Sequence, residues 1–219
     1  MELFGSFANT FTIANSDIDC CVTDQSSTSD EIQASGLPEG LQQELDARGF
    51  ETTLLTLTRI PILKIFRPAT DLLDSPTDSK VYKYPLHCDV GWQNRLALHN
   101  TALLKAYSKL DARVRHIVLF IKYWTKCRRI ARPRYGTLCS YGYVLMILYY
   151  LTHIASPPVL PNLQALPMKG GMRLEDVECE GCNIYFSKDA GGWKTQNTEV
   201  WYPFLAFMGR LMWGSLWGN

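Results

Sequence analysis

Two aspartates separated by one residue constrain the fold of this chain more than any other feature. Asp17 and Asp19 enter a short alternating segment that ends at Val22. Such alternation predicts a strand over 18–22, on which residues two apart point to the same face. Two carboxylates held that close repel one another, and their pKa values rise unless a positive charge lies between them. The pair therefore indicates a divalent cation at this strand or, as with many chance Asp-x-Asp pairs, a solvated sheet edge.

A third aspartate and a Gly-Ser pair favour the cation. Asp89 lies near the end of a second predicted strand, over 81–90, so three carboxylates would form an oxygen-rich site that suits Mg²⁺. Gly5 permits close approach of the backbone, and backbone N–H groups together with the Ser6 hydroxyl would then cradle a phosphate. Each signal is weak by itself, but their combination indicates metal-dependent phosphate chemistry.

Most predicted strands precede the predicted helices along the chain. The first part contains strands over 18–22, 51–57, 60–66 and 81–90, a helix over 37–48, and loops over 26–36 and 68–78. After residue 94 apolar residues recur at three-to-four spacing, which predicts helices over 95–109 and 111–130, and a strongly apolar segment predicts a third helix over 141–153. A returning helix is predicted over 200–212. This order predicts an α+β fold with a boundary near residues 92–95.

Charge is distributed unevenly, although the whole chain carries a formal net charge of only +1. Residues 1–94 carry a net charge of −8, whereas residues 95–135 hold 11 basic side chains and one acid, Asp111. Lys122 and Lys126 are four apart, on one face of a predicted helix, and could bind one polyanion together. A basic run usually forms a solvated helix face, but the lack of acids after Asp111 in this stretch favours phosphate binding.

Cysteine usage and hydropathy indicate an intracellular protein. The chain has seven cysteines, an odd number without the spacing of a disulfide framework, and no apolar secretion signal at its N-terminus. Its longest apolar run, Tyr143 to Leu151, is too short to cross a bilayer. We expect a protein of the cytoplasm, with the nucleus as the alternative, and no membrane partner.

Several longer segments resemble one protein family. Gly5-Ser6 followed by Ser16-Asp17-Ile18-Asp19 resembles the signature of the DNA polymerase β-like nucleotidyltransferases. Five further segments resemble its RNA terminal nucleotidyltransferases, which are the cytoplasmic poly(A) polymerases and terminal uridylyltransferases. These segments are 61–64 (PILK), 88–97 (CDVGWQNRLA), 110–114 (LDARV), 121–124 (IKYW) and 136–146 (GTLCSYGYVLM). The resemblance covers residues 3–167.

The resemblance implies a fold and a set of site residues. The fold would be a polymerase β-like nucleotidyltransferase domain over 1–94, with a small mixed sheet and flanking helices, followed by a helical central domain over 95–219. Asp17, Asp19 and Asp89 would be the catalytic metal ligands, for two Mg²⁺ or Mn²⁺ ions. The nucleotide would be bound by Gly5, Ser6, Asn94, Asn100, Lys122, Lys126, Ser140 and Tyr141. Tyr141 would stack on the base, although the helix pattern alone favours a core tyrosine.

The implied activity is template-independent addition of U or A to RNA 3′ ends. The nucleotide would come from UTP or ATP, with release of pyrophosphate by a two-metal mechanism. The RNA 3′ end and the nucleoside triphosphate would be the partners, and Arg59 and Lys64 are candidate RNA contacts.

Two departures from the family pattern lead to further expectations. Thr10 stands where the family usually has glycine, so the chain after the Gly-Ser pair is expected to take a slightly different path. The family's helical domain draws on chain before Gly5 and beyond residue 219. We therefore expect a chain truncated at both ends, with a protein partner covering the incomplete helical domain. The alternative function is a catalytically inactive RNA- or nucleotide-binding remnant. The basic stretch disfavours transfer to a small hydroxyl acceptor.

Overall fold

The structure is a computed structural model in two compact units, Met1–Ala102 and Leu103–Asn219. It describes residues 1–14, 16–24, 27, 29–58, 60–69, 84–166, 186–187, 190 and 192–213. The domain division after residue 94 stays a prediction.

The first unit contains a mixed five-stranded sheet. Its strands are β1 (Glu2–Phe4), β2 (Ile18–Val22), β3 (Glu51–Leu55), β4 (Ile62–Arg67) and β5 (Leu86–Trp92). They lie in the order β1-β2-β5-β4-β3, with β2 and β5 parallel and the other neighbours antiparallel. The strand predicted over 18–22 is confirmed. The fourth predicted strand, over 81–90, corresponds to β5, which begins at Leu86; residues 81–83 lie outside the described part. Because β5 continues to Trp92, Asp89 lies in the middle of the strand.

One face of this sheet forms a hydrophobic core. Cys20, Leu63, Val90 and Trp92 are buried there together with Ile32. Because successive side chains of a strand alternate between faces, Asp19, Lys64 and Asp89 point to the opposite face. The apolar half of each strand therefore fixes the orientation of its polar half.

Among the described residues, three helices precede β3 in the first unit. They are α1 (Gly5–Ala8), α2 (Ser29–Ala34) and α3 (Leu37–Ala47). The prediction of a helix over 37–48 is confirmed, and that of a loop over 26–36 is wrong at α2. The polar composition concealed α2, which Ile32 anchors by burying its side chain in the core.

The described part of the second unit is mainly helical. Its helices are α5 (Ala112–Cys127), α6 (Ser140–Tyr149), continued by a π-helical turn to Ile154, and α7 (Trp201–Trp213). The helix α4 (Arg95–Leu110) contributes residues to both units. The core of the second unit includes Val114, Ile117, Val118, Ile147, Leu151 and Phe204. The four helices predicted after residue 94 are confirmed, although α5 ends at Cys127, three residues before its predicted end.

A cap network holds the start of α5. The Asp111 carboxylate accepts the Arg113 backbone N–H at 2.9 Å and pairs with the Arg113 guanidinium at 2.7 Å. The same guanidinium donates to the carbonyl of Asn197 at 2.7 Å. The hydrogen bonds from Arg113 hold the pKa of Asp111 below its usual range.

In the part of the chain that the structure describes, no helix is long and apolar enough to span a bilayer.

Candidate active site

Three aspartates lie on one face of the sheet in the first unit. Asp19 of β2 and Asp89 of β5 are direct partners in the parallel register. Neighbouring strands are about 4.8 Å apart, so the two carboxylates lie side by side. Asp17 precedes β2 by one residue, and it lines one pocket together with Asp89. Asp89 is therefore a neighbour of Asp19 through the strand register and of Asp17 through the shared pocket.

Lys64 of β4 faces this group. It is the register partner of Asp89, and its Nζ lies 2.7 Å from Asp89 Oδ2. The two side chains retain 41% and 25% of their exposure, so water screens the ion pair and its net stabilisation is roughly 0–1 kcal/mol. The ammonium offsets part of the repulsion among the carboxylates. The sequence indicated Lys64 only as a candidate RNA contact, and Arg59, the other candidate, lies outside the described residues.

Gly5 makes room for the Asp19 carboxylate. A Cβ at Gly5 would lie 2.1 Å from Asp19 Oδ2, and the backbone φ of Gly5 is +68°. Its N–H donates to Thr101 Oγ1 at 3.0 Å, and that hydroxyl donates to the carbonyl of Ala97 at 2.7 Å. Gly5 therefore positions a carboxylate, and its own N–H already has a protein acceptor. Ser6 follows it at the second position of α1, half-buried. No pattern in the sequence indicated the role of Thr101.

Thr10 adopts the left-handed conformation. Its φ is 72°, a value that is a genuine outlier for a β-branched residue. Position 10 is the one where the resemblance expects glycine. Glycine adopts this left-handed conformation without strain. In Thr10 the same conformation lowers the stability of the folded state by about 1–2 kcal/mol.

Two predicted nucleotide-binding asparagines belong to the region of α4, one directly before the helix and one within it. Asn94 Oδ1 accepts the backbone N–H of Ala97 at 3.3 Å, which caps the helix, and the Asn94 N–H donates to Cys21 Sγ at 3.2 Å. Asn100 lies within α4 and is half-buried. Asn94 therefore has a structural role as the cap of α4, in addition to its predicted role in nucleotide binding.

The other four predicted residues belong to the second unit. Lys122 and Lys126 lie on α5 four residues apart, on one helix face. Ser140 and Tyr141 are the first two residues of α6, and Tyr141 is 38% exposed. Partial burial, followed by the charge of Cys139, raises the pKa of Tyr141. Tyr141 is therefore not a fully buried core tyrosine, and part of its surface is accessible to a ligand.

Comparison with known proteins identifies the family. Residues 1–109 match the family described as "Poly(A) RNA polymerase, mitochondrial-like, central palm domain". The chain is 45% identical over 166 residues to terminal uridylyltransferase cid1 of Schizosaccharomyces pombe, an alignment that covers 76% of this chain. The crystal structure of Cid1 poly(U) polymerase with bound MgGTP matches 90% of this chain with a TM-score of 0.72 and 38% identity. The chain belongs to the terminal nucleotidyltransferase family.

The match extends over only part of these terminal nucleotidyltransferases. The chain spans 38% of the length of cid1 and 56% of the crystallised Cid1 chain. Human terminal uridylyltransferase 7 is 34% identical over 189 residues, which cover 85% of this chain and 12% of that protein. The structural match confirms the α+β, polymerase β-like fold that the sequence predicted.

Cid1 crystals contain magnesium nucleotides, so Mg²⁺ is the cation against which the carboxylates of this chain are compared. The carboxylates of Asp17, Asp19 and Asp89 are suitable ligand types, because Mg²⁺ prefers hard oxygen ligands. Among the described residues, however, no three His, Cys, Asp or Glu side chains already converge as a metal site. Lys64 contacts one oxygen of Asp89, so a cation there would compete with its ammonium.

Proposed function

We propose that this chain is a template-independent RNA terminal nucleotidyltransferase. It would add nucleotides from an NTP to an RNA 3′ end and release pyrophosphate by a two-metal mechanism. The observation that carries the proposal is the pairing of Asp19 with Asp89 across parallel strands, with Asp17 on the same face. Such a cluster of carboxylates is unfavourable without a cation and suited to one that binds phosphates.

The carboxylates would act together on the reacting groups. Asp17, Asp19 and Asp89 would hold the magnesium ions, and a carboxylate oxygen of Asp89 would accept the proton of the RNA 3′ hydroxyl. Bound Mg²⁺ supplies a lowered pKa for that hydroxyl and charge stabilisation for the leaving pyrophosphate. Gly5 would keep Asp19 in place, because its missing Cβ leaves room for the carboxylate.

The remaining predicted residues would bind the nucleotide. Lys122 and Lys126 would neutralise the triphosphate, Ser6 and Ser140 would donate to its oxygens, and Tyr141 would stack on the base. Asn94 and Asn100 would lie near the base and ribose. Catalysis would then rest on positioning and electrostatics.

We propose UTP as the preferred nucleotide and ATP as the alternative. Relatives named terminal uridylyltransferases align over 76–85% of this chain. Those named Speckle targeted PIP5K1A-regulated poly(A) polymerase align over 48–49%. We also propose the cytoplasm as its location, since one matching structure is of a cytoplasmic RNA terminal U-transferase. A protein partner covering the helical unit stays a proposal.

An extension assay on active-site variants tests the proposed function. Purified protein is incubated with Mg²⁺, labelled UTP and a single-stranded RNA. Asp17→Ala and Asp89→Ala should each lower the extension rate by about 10²- to 10³-fold, since each removes a charge that acts directly at the reacting groups. Glu44→Gln is the matched control, because this exposed α3 carboxylate pairs only with Arg48 among the described residues, and it should extend RNA normally. Circular dichroism verifies folding. Full activity in the folded Asp89→Ala protein would refute the proposal.

The contact between Lys64 and Asp89 favours a second candidate. An ammonium at 2.7 Å from Asp89 Oδ2 partly satisfies that carboxylate without a metal, as expected of a nucleotide- or RNA-binding protein without catalysis. Measured UTP binding without any extension, with each of Mg²⁺ and Mn²⁺, would favour this inactive form.

A further inference from the structure

The face that carries the three aspartates also forms a pocket of about 360 Å³. Its walls come from β3, β4 and β5 of the first unit and from Asp17. The lining residues are Asp17, Glu51, Thr53, Lys64, Ile65, Phe66, His87 and Asp89. The proposed mechanism uses the aspartates of this pocket and leaves the rest of it unexplained.

The strand register divides the pocket into two rows. One row runs Thr53–Lys64–Asp89 across β3, β4 and β5, and it ends at a proposed catalytic carboxylate. The next row runs Glu51–Phe66–His87 across the same strands. The second row therefore places an aromatic pair directly beside the reacting centre.

Phe66 and His87 form a contact pair. Their ring centroids are 4.8 Å apart and their planes are tilted by 41°. Phe66 is half-buried and His87 is exposed, so the pair offers ring surface to the pocket. Aromatic side chains bind nucleobases by stacking, with little dependence on base identity.

The spacing along β5 suits one nucleotide. His87 and Asp89 are two residues apart on one face, a separation of about 6.6 Å. This is comparable to the distance between the base of a nucleotide and its own 3′ oxygen. A base resting on the ring pair would leave its 3′ hydroxyl beside Asp89.

Charge in the pocket selects which part of the nucleotide lies at each row. Glu51 lies in the second row and Asp17 also lines the pocket, and their negative charges oppose a phosphate at the rings. Lys64 lies in the first row and contacts Asp89, so its ammonium can attract the sugar-phosphate side. The uncharged base is therefore the part that fits against Phe66 and His87.

We propose that this pocket binds the 3′-terminal nucleotide of the acceptor RNA, with its base stacked on the Phe66–His87 pair. The inference rests on the proposed function for its substrate. Phe66 and His87 are positioning residues, because they hold the base and Asp89 acts on the hydroxyl.

A paired change in protein and RNA tests this contact. The probes are a fluorescent six-nucleotide oligo(A) and the same RNA whose 3′-terminal ribose lacks a base, both bound in the absence of extension. Wild type should bind the complete RNA about tenfold more tightly than the abasic one, because stacking of one base contributes that much or more. Phe66→Leu should bind both equally, since leucine keeps the apolar bulk and lacks the ring. Phe66→Tyr should restore the difference.

Two further measurements keep the outcomes distinct. Tyr202→Ala removes an exposed ring of the second unit and should keep the tenfold difference. If Phe66→Leu and His87→Leu discriminate between the two RNAs as wild type does, the inference is wrong. The same proteins are assayed for extension. If the proteins extend RNA but Phe66→Leu keeps the difference between the two RNAs, this inference is wrong and the proposed function stands. If Phe66→Leu removes the difference but wild type extends no RNA, the proposed function is wrong, whereas the contact between the terminal base and the rings stands.

Discussion

The contact between Gly5 and Asp19 leads to a quantitative prediction for Gly5→Ala. The new Cβ would lie 2.1 Å from Asp19 Oδ2 and 2.9 Å from its Cγ, whereas real Cβ contacts are essentially never below 3.0 Å. The carboxylate must therefore move by about 0.9 Å. A misplacement of about 1 Å in a catalytic group lowers rates by about 10²-fold. We expect that loss in the RNA extension rate of Gly5→Ala.

The stability effect has two parts that a second glycine separates. Alanine in the left-handed conformation costs about 1–2 kcal/mol, offset by about 0.4–1 kcal/mol from the restricted unfolded chain. Gly36→Ala carries this backbone cost alone, because Gly36 has a φ of +69° and an added Cβ would meet nothing within 4 Å. Gly5→Ala adds the collision with Asp19, and overpacking costs typically about 1–3 kcal/mol.

Urea denaturation followed by circular dichroism measures both variants. Gly5→Ala should lose about 1–3 kcal/mol more unfolding free energy than Gly36→Ala, and only Gly5→Ala should lose activity. Equal stability losses and equal extension rates in the two variants would show that Gly5 is required for its backbone conformation alone.

Three further predictions concern other parts of the chain. Thr10→Gly should raise the free energy of unfolding by about 1 kcal/mol in urea denaturation, because it relieves the left-handed strain; no gain would refute that strain. Asp111→Asn should destabilise the protein at pH 7. The folded pKa of Asp111 is lowered, so its contribution is present above the unfolded pKa of about 3.9 and is lost as pH falls through the lower folded value. Thermal melts of both proteins should therefore converge in acid, and a constant gap would contradict this. At pH 8 iodoacetamide should label the exposed Cys127 before Cys88, whose pKa burial and the neighbouring Cys20 raise to about 12; peptide mapping that finds equal rates would contradict the burial argument.

Local patterns predicted the elements that carry the aspartates. The alternation from Asp17 to Val22 indicated β2, three-to-four spacing indicated α5, and a strongly apolar segment indicated α6. These signals lie within one element, so they need no knowledge of the fold. The short β1 and the polar α2 lack such patterns, and they form because β1 pairs with β2 and Ile32 is buried.

Contacts between distant strands could not be predicted from the sequence. Three such contacts depend on the strand register. They are the ion pair of Lys64 with Asp89, the space that Gly5 leaves for the Asp19 carboxylate, and the ring contact of Phe66 with His87. A shift of one residue in β4 would move Lys64 and Phe66 to the other face. The register is determined by burial of Leu63 and Val90 on the core side, and neither residue carries a signal of chemistry in the sequence.

A four-nucleotide extension assay decides whether this chain transfers nucleotides to RNA. Purified chain is incubated with oligo(A) RNA, Mg²⁺ and each labelled NTP in turn, and products are separated by length. We predict a ladder with UTP or, as the alternative, ATP, which disappears with EDTA and in Asp89→Ala. A chain that binds UTP and RNA but yields no extended product with any of the four nucleotides would contradict the proposed function.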